Sequence, residues 1–299
     1  MAHILAIGIA TLDIVNILDG YPAEDSEVRA QAQRVSRGGN ATNTLAVLSQ
    51  LGHRTSWAGV WVEEPDALRI RADLEHHGID TRHCRCLESG KVPTSYITLN
   101  ARNGSRTITH YRDLPEFSAE DFRRIELTGV DWLHFEGRNV TETAAMLAHA
   151  RASAPHIPCS LEVEKPRPGI ETLFGLADVL LFSPVYARSR ADTPETLLRA
   201  VREAHPDAEL YCTAGPAGAL ALDRGGALHR SRAFAPERVV DTLGAGDTFN
   251  AAVIDGYLRH LPVASLLGRA CRVAGLKVGQ EGLRDLPLAA LQAEDAHHG

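Results

Sequence analysis

Short apolar runs alternate with amphipathic helical patterns along most of the chain. The apolar runs have the length of buried strands, and proline or glycine marks several helix boundaries, as at Thr193-Pro194. The pattern predicts strands at residues 4–9, 55–60, 132–136, 157–163, 178–183 and 210–213, a hairpin turn at 223–226, and helices at 41–51, 65–77, from 193 onward, 246–259 and 263–279. Strands that alternate with helices indicate an α/β fold with a mostly parallel central sheet covered by helices on both faces.

Two segments, residues 12–37 and 93–112, break this alternation. Within the first, "EVRAQAQRV" alternates as a strand does. The second holds "TSYITLN" and "RTITHY" around Asn103-Gly104, a pair that favours a type I′ hairpin. We therefore predict a small β-sheet layer built from 12–37 and 93–112, beside a core formed by 1–11, 38–92 and 113–299.

Composition narrows the function classes. The 299 residues are 44% hydrophobic and 23% charged, as in globular proteins, and the formal net charge of −7 argues against nucleic acid as the main partner. No apolar run is long enough for a membrane span. The five scattered cysteines have no zinc or CxxC spacing, which favours reduced thiols. We expect a cytoplasmic protein with small-molecule partners and no membrane or nucleic-acid partner.

The stretch "DTLGAGDTFNA", residues 241–251, places two glycines immediately before a predicted helix. The free N–H groups of Gly244, Ala245 and Gly246, with the positive end of the helix dipole, would form an anion site. Asp247 would then lie beside the bound anion, where a carboxylate can accept the proton of an attacking hydroxyl during phosphoryl transfer. The local pattern equally fits a glycine turn followed by an acid that stabilises a helix N-terminus.

Polar residues at a second predicted helix start suit a polyhydroxyl ligand. In "RGGNATN", residues 37–43, Gly39 precedes Asn40 and Asn43, whose amides both donate and accept hydrogen bonds. Asp13, just after the first strand, is another candidate acceptor. Asn40 also fits an ordinary helix cap, and Asp13 an ordinary loop acid.

Two further stretches follow predicted strands. "TAGPAG", residues 213–218, offers a turn with few side chains at the sheet edge where α/β proteins bind ligands. "EVEKPR", residues 162–167, contains Lys165, one of three lysines in the chain, which could reach a phosphate. Each stretch also fits a simpler interpretation, an ordinary turn and a surface charge cluster. The sequence contains no P-loop and no protein-kinase signature.

Together these motifs resemble the ribokinase/phosphofructokinase-B family of sugar kinases. "RGGNATNTLAVLSQLG" is similar to the N-terminal signature of that family and "DTLGAGDTFNA" to its C-terminal signature, at the expected separation. "EDSE", "EGRN" and "EVEKPR" are similar to the ketohexokinase branch. The resemblance implies a ribokinase-like fold and ATP-dependent phosphorylation of a ketohexose, with fructose giving fructose 1-phosphate. A kinase for another ketose, a pentose or a nucleoside, and a silent binding regulator, are the alternatives.

The resemblance also implies roles for single residues. Asp247 would be the catalytic base, with Gly244, Ala245 and Gly246 as the anion hole. The remaining residues fall into three groups: sugar ligands Asp13, Gly39, Asn40 and Asn43; nucleotide contacts Arg106, Lys165, Gly215 and Gly218; and Asp241 at a monovalent-cation site. ATP with Mg²⁺, and K⁺, are the implied cofactors. The β layer would be a lid over the sugar, and two lids would clasp each other in a homodimer.

The chain departs from the family pattern at two places. Ser183 and Tyr186 stand where the family often has an N-x-x-E motif linked to magnesium. Pro216 stands where an acidic residue often follows the first glycine of the 213–218 turn.

Overall fold

A computed structural model describes residues 1–288; the rest of the predicted core, residues 289–299, lies outside the described residues. Its strands are β1 His3–Ile7, β2 Thr11–Leu18, β3 Ala32–Gly38, β4 Arg54–Ala58, β5 Val60–Val62, β6 Arg85–Leu87, β7 Thr94–Asn100, β8 Arg106–Tyr111, β9 Trp132–Glu136, β10 Cys159–Val163, β11 Val179–Phe182, β12 Glu209–Thr213, β13 Ala219–Leu222 and β14 Leu228–Ser231. Its helices are α1 Asn40–Gln50, α2 Pro65–His76, α3 Ala119–Phe122, α4 Val140–Ser153, α5 Pro184–Arg190, α6 Pro194–Ala204, α7 Ala245–Leu258 and α8 Val263–Val278.

A large sheet with the order β14-β13-β12-β11-β10-β9-β1-β4 forms the centre of the molecule. Neighbouring strands from β4 to β12 are parallel, and β13 and β14 are antiparallel. Alternate side chains enter opposite cores, as Ile4 and Leu5 do in β1. Helices α1, α2, α7 and α8 contribute to one core, and α3, α4, α5 and α6 to the other. The predicted α/β fold is confirmed.

The predicted strand at 55–60 is wrong as a single element. It is divided at Gly59, where a Cβ atom would clash with the ring of Trp57 and lie 2.6 Å from the carbonyl oxygen of Gly8. Strand β4 stays in the large sheet, and β5 pairs with β6 in a separate two-stranded sheet. An apolar run alone cannot show this change of partner, because both pieces have strand-like composition.

A second sheet, with the order β3-β2-β7-β8, is formed by two separate parts of the chain. Strand β2 pairs antiparallel with β3 and parallel with β7, and β7 pairs antiparallel with β8. Within "EVRAQAQRV", the strand begins only at Ala32. Helix α2 packs against β2 and β3, which anchors the base of this small sheet on the core.

The β7–β8 hairpin exists, but its turn is not type I′. The connection spans residues 101–105, and Gly104 has a φ of +70°, whereas Asn103 keeps a negative φ. The Oδ1 atom of Asn103 accepts a hydrogen bond from the N–H of Ser105 at 3.0 Å. This side-chain bond stabilises a longer turn with a single left-handed residue.

Across residues 1–288, none of the helices combines the length and apolar character required to cross a bilayer.

Candidate active site

The predicted site residues follow the carboxyl ends of several neighbouring strands. Strands β1, β9, β10, β11 and β12 are parallel and adjacent, so the segments after them meet at one edge of the large sheet. Helix α1 and helix α7 pack against each other on one face of this sheet. Their N-termini lie side by side and are joined by the side chains of Asn43 and Asp247.

Helix α7 begins with an open, uncapped first turn. Gly244 is the N-cap residue, with a left-handed φ of +79° and no side-chain capping bond. Open space surrounds the position that a Cβ atom of Gly246 would take. The N–H groups of a first helical turn have no i−4 carbonyl within the helix, so this turn can donate to an anion.

Asp247 lies in this first turn and is buried. Burial raises its pKa to about 7; the hydrogen bond from Asn43 opposes that rise, and the negative charges of Glu164 and Glu136 add to it. A buried carboxylate with a raised pKa can accept a proton near neutral pH. Asp247 therefore has the properties of a general base next to an anion site.

Asn43 on α1 contacts Asp247 directly. Its Nδ2 atom donates to Oδ2 of Asp247 at 2.7 Å, and its Oδ1 atom accepts from Nη1 of Arg37 at 2.8 Å. Thr44 adds a second contact between the helices, from its Oγ1 to the carbonyl oxygen of Asp247 at 3.3 Å. These bonds join the starts of α1 and α7, although Asn43 and Asp247 are 204 residues apart in the sequence.

Asn40, the first residue of α1, contacts Glu162 at the end of β10. Asn250 donates to Oε1 of Glu162 at 3.2 Å, and Oε2 of Glu162 has no hydrogen-bond partner within the described residues. Burial is the main cause that raises the pKa of Glu162 well above its usual range, and the charge of Asp247 raises it further. Asn40 is not the cap of α1, because that position is Gly39.

Glu136 occupies the N-terminus of α1. Its Oε1 atom accepts from the N–H of Ala41 at 2.6 Å and from the N–H of Ile9 at 3.3 Å. Gly39 has a φ of +102°, and a Cβ atom there would clash with the carbonyl oxygen of Ile9. Glycine is therefore required at position 39 for close approach of two backbone segments, and no direct role in ligand binding is needed to explain it.

Asp13 lies on β2, where the small sheet joins the core. Its Oδ1 atom accepts from Oγ1 of Thr11 at 2.8 Å. Burial raises its pKa, while Thr11, Ser95 and the charge of Arg37 act in the opposite direction. Asp13 also lies close to Gly38, where any Cβ atom would clash with its carboxylate.

Arg106 and Lys165 approach the site from two sides. Arg106, at the start of β8, donates from Nη1 to Oγ1 of Thr242 at 3.2 Å, so the small sheet touches the loop before α7. Lys165, after β10, is 55% exposed in its side chain and pairs with Glu164 at 3.4 Å. Both cations remain accessible to an anionic ligand.

The 213–218 turn closes the sheet edge after β12. Gly215 and Gly218 both have positive φ values, of +59° and +98°. A Cβ atom at Gly218 would clash with the carbonyl oxygen of Ser231, whereas the position at Gly215 is open. Pro216 lies within a short 3₁₀ turn, Gly215–Ala217.

Ser183 and Tyr186 have structural roles at the start of α5. Ser183 Oγ accepts from the N–H groups of Val185 and Tyr186 and so caps the helix. The Tyr186 hydroxyl donates to Glu171 at 3.0 Å from a buried ring. This helix start therefore carries a hydroxyl cap and no carboxylate.

Asp241 is already paired with cations of the chain itself. Its Oδ2 atom lies 3.0 Å from Nζ of Lys277 and 3.1 Å from Nη2 of Arg34. Lys277, fully buried, also donates to the Asp241 carbonyl oxygen at 2.8 Å. The N–H groups of Leu243 and Gly282 donate to the two carboxylate oxygens. These contacts do not fit the predicted monovalent-cation site at Asp241, because a lysine ammonium takes that position.

Several site residues were not predicted from the sequence, although each carried a signal. Glu136 and Glu162 are acids inside otherwise apolar strands, which is unusual unless they have partners. Lys277 is one of three lysines and lies in an apolar helical pattern. Arg37 is adjacent to the glycine pair of the N-terminal motif. Within residues 1–288, no group of three acidic, histidine or cysteine side chains could hold a metal ion.

Comparison with known proteins agrees with this geometry. The model of the pfkB family carbohydrate kinases matches residues 1–289. The chain is 40% identical to ketohexokinase of Mus musculus over 289 residues, which cover 94% of this chain and 97% of that protein. It is 25% identical to the ATP-dependent ribose-1-phosphate kinase of Halopiger xanaduensis, over 97% of this chain and 96% of that protein.

Solved structures share the fold at lower identity. Arabidopsis thaliana ribokinase, complexed with ribose and ATP, superposes with a TM-score of 0.79 at 21% identity and covers 96% of each chain. Adenosine kinase of Sinorhizobium meliloti gives a TM-score of 0.80 at 21% identity and covers 99% of each chain. The fold is therefore ribokinase-like, and with the family match over almost its whole length, the chain belongs to the pfkB family of carbohydrate kinases.

Proposed function

We propose that this protein is an ATP-dependent ketohexose kinase that converts fructose to fructose 1-phosphate. The observation that carries the proposal is the position of Asp247, a buried carboxylate in the first turn of a helix whose N-terminus is open to an anion. A carboxylate beside a phosphate is unfavourable unless a hydroxyl lies between them. A kinase places the acceptor hydroxyl in that position.

In the proposed reaction, a sugar hydroxyl oxygen attacks the γ-phosphorus of ATP and the bond to the β-phosphate oxygen breaks. Asp247 accepts the hydroxyl proton, ADP leaves, and the sugar phosphate forms. The N–H groups at Gly244, Ala245 and Gly246 stabilise negative charge on the transferred group. The half-buried Asp13 and Asn43 and the amide of Asn40 supply hydrogen bonds to the other sugar hydroxyls.

Exposed positive charges indicate which side of the site would bind the nucleotide. Arg106 and Lys165 are exposed cations that suit the ATP phosphates, and the turn with Gly215 and Gly218 gives a surface with few side chains for the nucleoside. Mg²⁺ bound with ATP would supply neutralisation of the phosphate charge. The half-exposed carboxylate of Glu164 lies close enough to raise the pKa of Asp247 and has the oxygen chemistry that Mg²⁺ prefers.

The choice of a ketohexose rests on similarity to the mouse ketohexokinase, at 40% identity over nearly the whole chain. Asparagine and aspartate ligands alone suit many polyols, so the amides at the site cannot select this sugar.

A coupled assay of ADP release tests the proposal. The panel contains fructose, tagatose, ribose, glucose and inosine, with the Asp247→Asn protein purified in parallel as a control for contaminating kinases. We expect the highest kcat/KM with fructose, and a ³¹P NMR spectrum of the product with a phosphate on the C1 hydroxyl. If no ketohexose gives ADP release above the control, the proposed function is wrong.

We also propose a homodimer formed through the small sheet, in the cytoplasm. Three large apolar side chains on one face of this sheet are exposed: Val35 38%, Tyr96 45% and Tyr111 50%. A contiguous exposed apolar patch on a monomer surface commonly marks a protein interface. Light scattering tests this with the wild type, expected to have the mass of a dimer, and with Tyr96→Asp/Tyr111→Asp, expected to have the mass of a monomer.

A further inference from the structure

We propose that Arg37 is a positioning residue for the phosphoryl transfer, which fixes the side-chain amide of Asn43 so that its NH₂ group donates to Asp247. This inference rests on the proposed role of Asp247 as the base. It adds a residue of the N-terminal motif that contacts neither the sugar nor the phosphate in the proposed reaction.

The Arg37 guanidinium is buried and held on several sides. Its side chain is 1% exposed, and Nε lies 2.6 Å from Oδ2 of Asp73. Nη1 donates to Oγ1 of Thr42 at 3.0 Å and to Oδ1 of Asn43 at 2.8 Å. A planar guanidinium with partners on both Nε and Nη1 has little freedom to rotate.

This fixed donor determines the orientation of the Asn43 amide. An amide has one acceptor oxygen and one donor nitrogen, and a guanidinium can only donate. Arg37 must therefore face Oδ1 of Asn43, which directs Nδ2 to Asp247 at 2.7 Å. With the amide reversed, two donors would meet at Arg37 and two acceptors would meet at Asp247.

The hydrogen bond matters for the base in two ways. It stabilises the charged form of Asp247, which opposes the effect of burial on the pKa of that carboxyl. It also occupies Oδ2, which leaves Oδ1 for the substrate hydroxyl. Without the bond, the carboxylate could rotate and would be protonated over a wider pH range.

Arg37 is itself anchored from a third element. Asp73 on α2 accepts from Arg284 at 3.0 and 2.9 Å, in addition to its bond with Arg37. His77 lies 3.9 Å from Asp73, and burial lowers its pKa to about 4, so it is neutral at pH 7. The contacts thus form a continuous path from α2 through β3 and α1 to the base on α7.

Charged groups on several elements act on Asp247, and all of them except Arg37 are the same in every variant of the test. They come from β9, β10, the segment after β10, β3 and α8: Glu136, Glu162, Glu164, Arg37 and Lys277. Of these, only Arg37 is changed below, so its direct charge effect must be separated from its effect through Asn43.

The first test compares Arg37→Met and Arg37→Lys with Arg71→Met, a control on the exposed face of α2. We expect Arg37→Met to lower kcat roughly 10- to 100-fold, as for the loss of a hydrogen bond to a charged group. The acid limb of the kcat profile should move up by about one pH unit. The kcat of Arg37→Lys should lie between the values for the wild type and for Arg37→Met, because an ammonium group keeps the positive charge but lacks the planar set of N–H donors. Wild-type kcat and an unmoved acid limb in Arg37→Met would overturn the proposal.

A double-mutant cycle with Asn43→Ala separates the two effects. If Arg37 acts through the amide, Arg37→Met should change kcat less than threefold in the Asn43→Ala background. An equal loss in both backgrounds would assign the effect to direct charge or to folding, and the positioning role would be wrong.

A readout without turnover keeps the result separate from the proposed function. In protein labelled with ¹³Cγ-aspartate, the signal lost in Asp247→Asn reports the titration of Asp247. Its midpoint should be higher in Arg37→Met than in the wild type, and most of this rise should disappear in the Asn43→Ala background. An unchanged midpoint, or a rise of equal size in both backgrounds, counts against the inference. If the wild type releases no ADP with any sugar, the kinase proposal fails, but this titration still decides the role of Arg37.

Discussion

Two aspartates at the ends of one loop show how partners, and not burial, determine the chemistry of a carboxylate. Asp241 and Asp247 flank residues 242–246, and each is 7% exposed. Burial acts to raise the pKa of each aspartate, and other contributions decide the net direction. For Asp241 the opposing contributions of Lys277, the Leu243 N–H and Arg34 prevail, and the net pKa is lowered.

Within residues 1–288, Asp247 has a single amide donor on its carboxylate and three acidic neighbours, Glu136, Glu162 and Glu164, so its pKa stays raised. The comparison indicates that Asp241 is a permanent anion that fixes the loop, whereas Asp247 can exchange a proton. The comparison can be tested by changing one of the two aspartates, or one of its partners, at a time.

The largest effect is expected for Asp247→Asn. An amide cannot accept the hydroxyl proton, and general-base assistance contributes roughly 10²- to 10⁴-fold, so kcat should fall by that factor. Steady-state kinetics with saturating fructose and ATP measure it. The thermal unfolding midpoint should not decrease, and near-wild-type kcat would contradict the assignment of the base.

Lys277→Met should give the largest loss of stability. Removal of one partner leaves a buried carboxylate less compensated, which costs about 3–5 kcal/mol in the free energy of unfolding. Urea unfolding followed by circular dichroism measures this loss. An unchanged unfolding free energy would mean that Asp241 does not depend on Lys277.

The same variant tests the cation at Asp241. In the wild type, KCl in place of choline chloride at the same ionic strength should leave the thermal unfolding midpoint unchanged, because the Lys277 ammonium already lies beside the Asp241 carboxylate. In Lys277→Met, K⁺ should raise it. A K⁺-specific rise in the wild type that Asp241→Asn removes would show that the carboxylate binds K⁺ despite Lys277.

The pH dependence of the unfolding free energy should reveal the raised pKa of Asp247. The folded pKa of Asp247, about 7, lies above its ordinary value of 3.8. Its ionisation therefore destabilises the fold progressively from about pH 4 to pH 7, and the cost is constant above pH 7. Asp247→Asn should exceed the wild type in stability at pH 8, and the difference should shrink toward pH 5. Differential scanning fluorimetry at both pH values checks this, and a difference that does not change with pH would contradict the raised pKa.

The smallest effect is expected for Arg34→Met. Arg34 is 21% exposed, and Lys277 remains beside Asp241 after its removal. Because Lys277 still compensates the Asp241 carboxylate, only one charged hydrogen bond to that carboxylate is lost, and the loss should be about 1–2 kcal/mol by urea unfolding. A loss as large as that of Lys277→Met would mean that the two cations contribute equally.

The sequence was sufficient for most of the strands and helices that it predicted, because these depend on neighbours in the chain. Strand β9 was predicted with its observed limits, and Thr193 caps α6 through the N–H of Thr196 at 3.1 Å, as its sequence pattern suggested. The partition of 55–60 at Gly59 was not predictable, because it depends on the distant Gly8.

The partners within the site were not predictable for the same reason. The bond between Asn43 and Asp247 spans 204 residues, and the bond between Ala41 and Glu136 spans 95. The residue types at Arg37 and Lys277 are unusual for their surroundings, but the sequence does not show which carboxylate each one meets. The monovalent-cation role that the family resemblance implied for Asp241 therefore took no account of Lys277.

The two glycine-started helices of the site offer different ends to a substrate. At α1, Oε1 of Glu136 already accepts from the N–H of Ala41, so that N–H is not available to an anion, and the side-chain amides of Asn40 and Asn43 remain for a ligand. At α7 the first turn has no side-chain cap. The start of α7 is therefore the better place for a phosphate, and the start of α1 is the better place for neutral hydroxyl groups. The glutamate that occupies one helix terminus makes the two helix starts chemically unequal before any substrate binds.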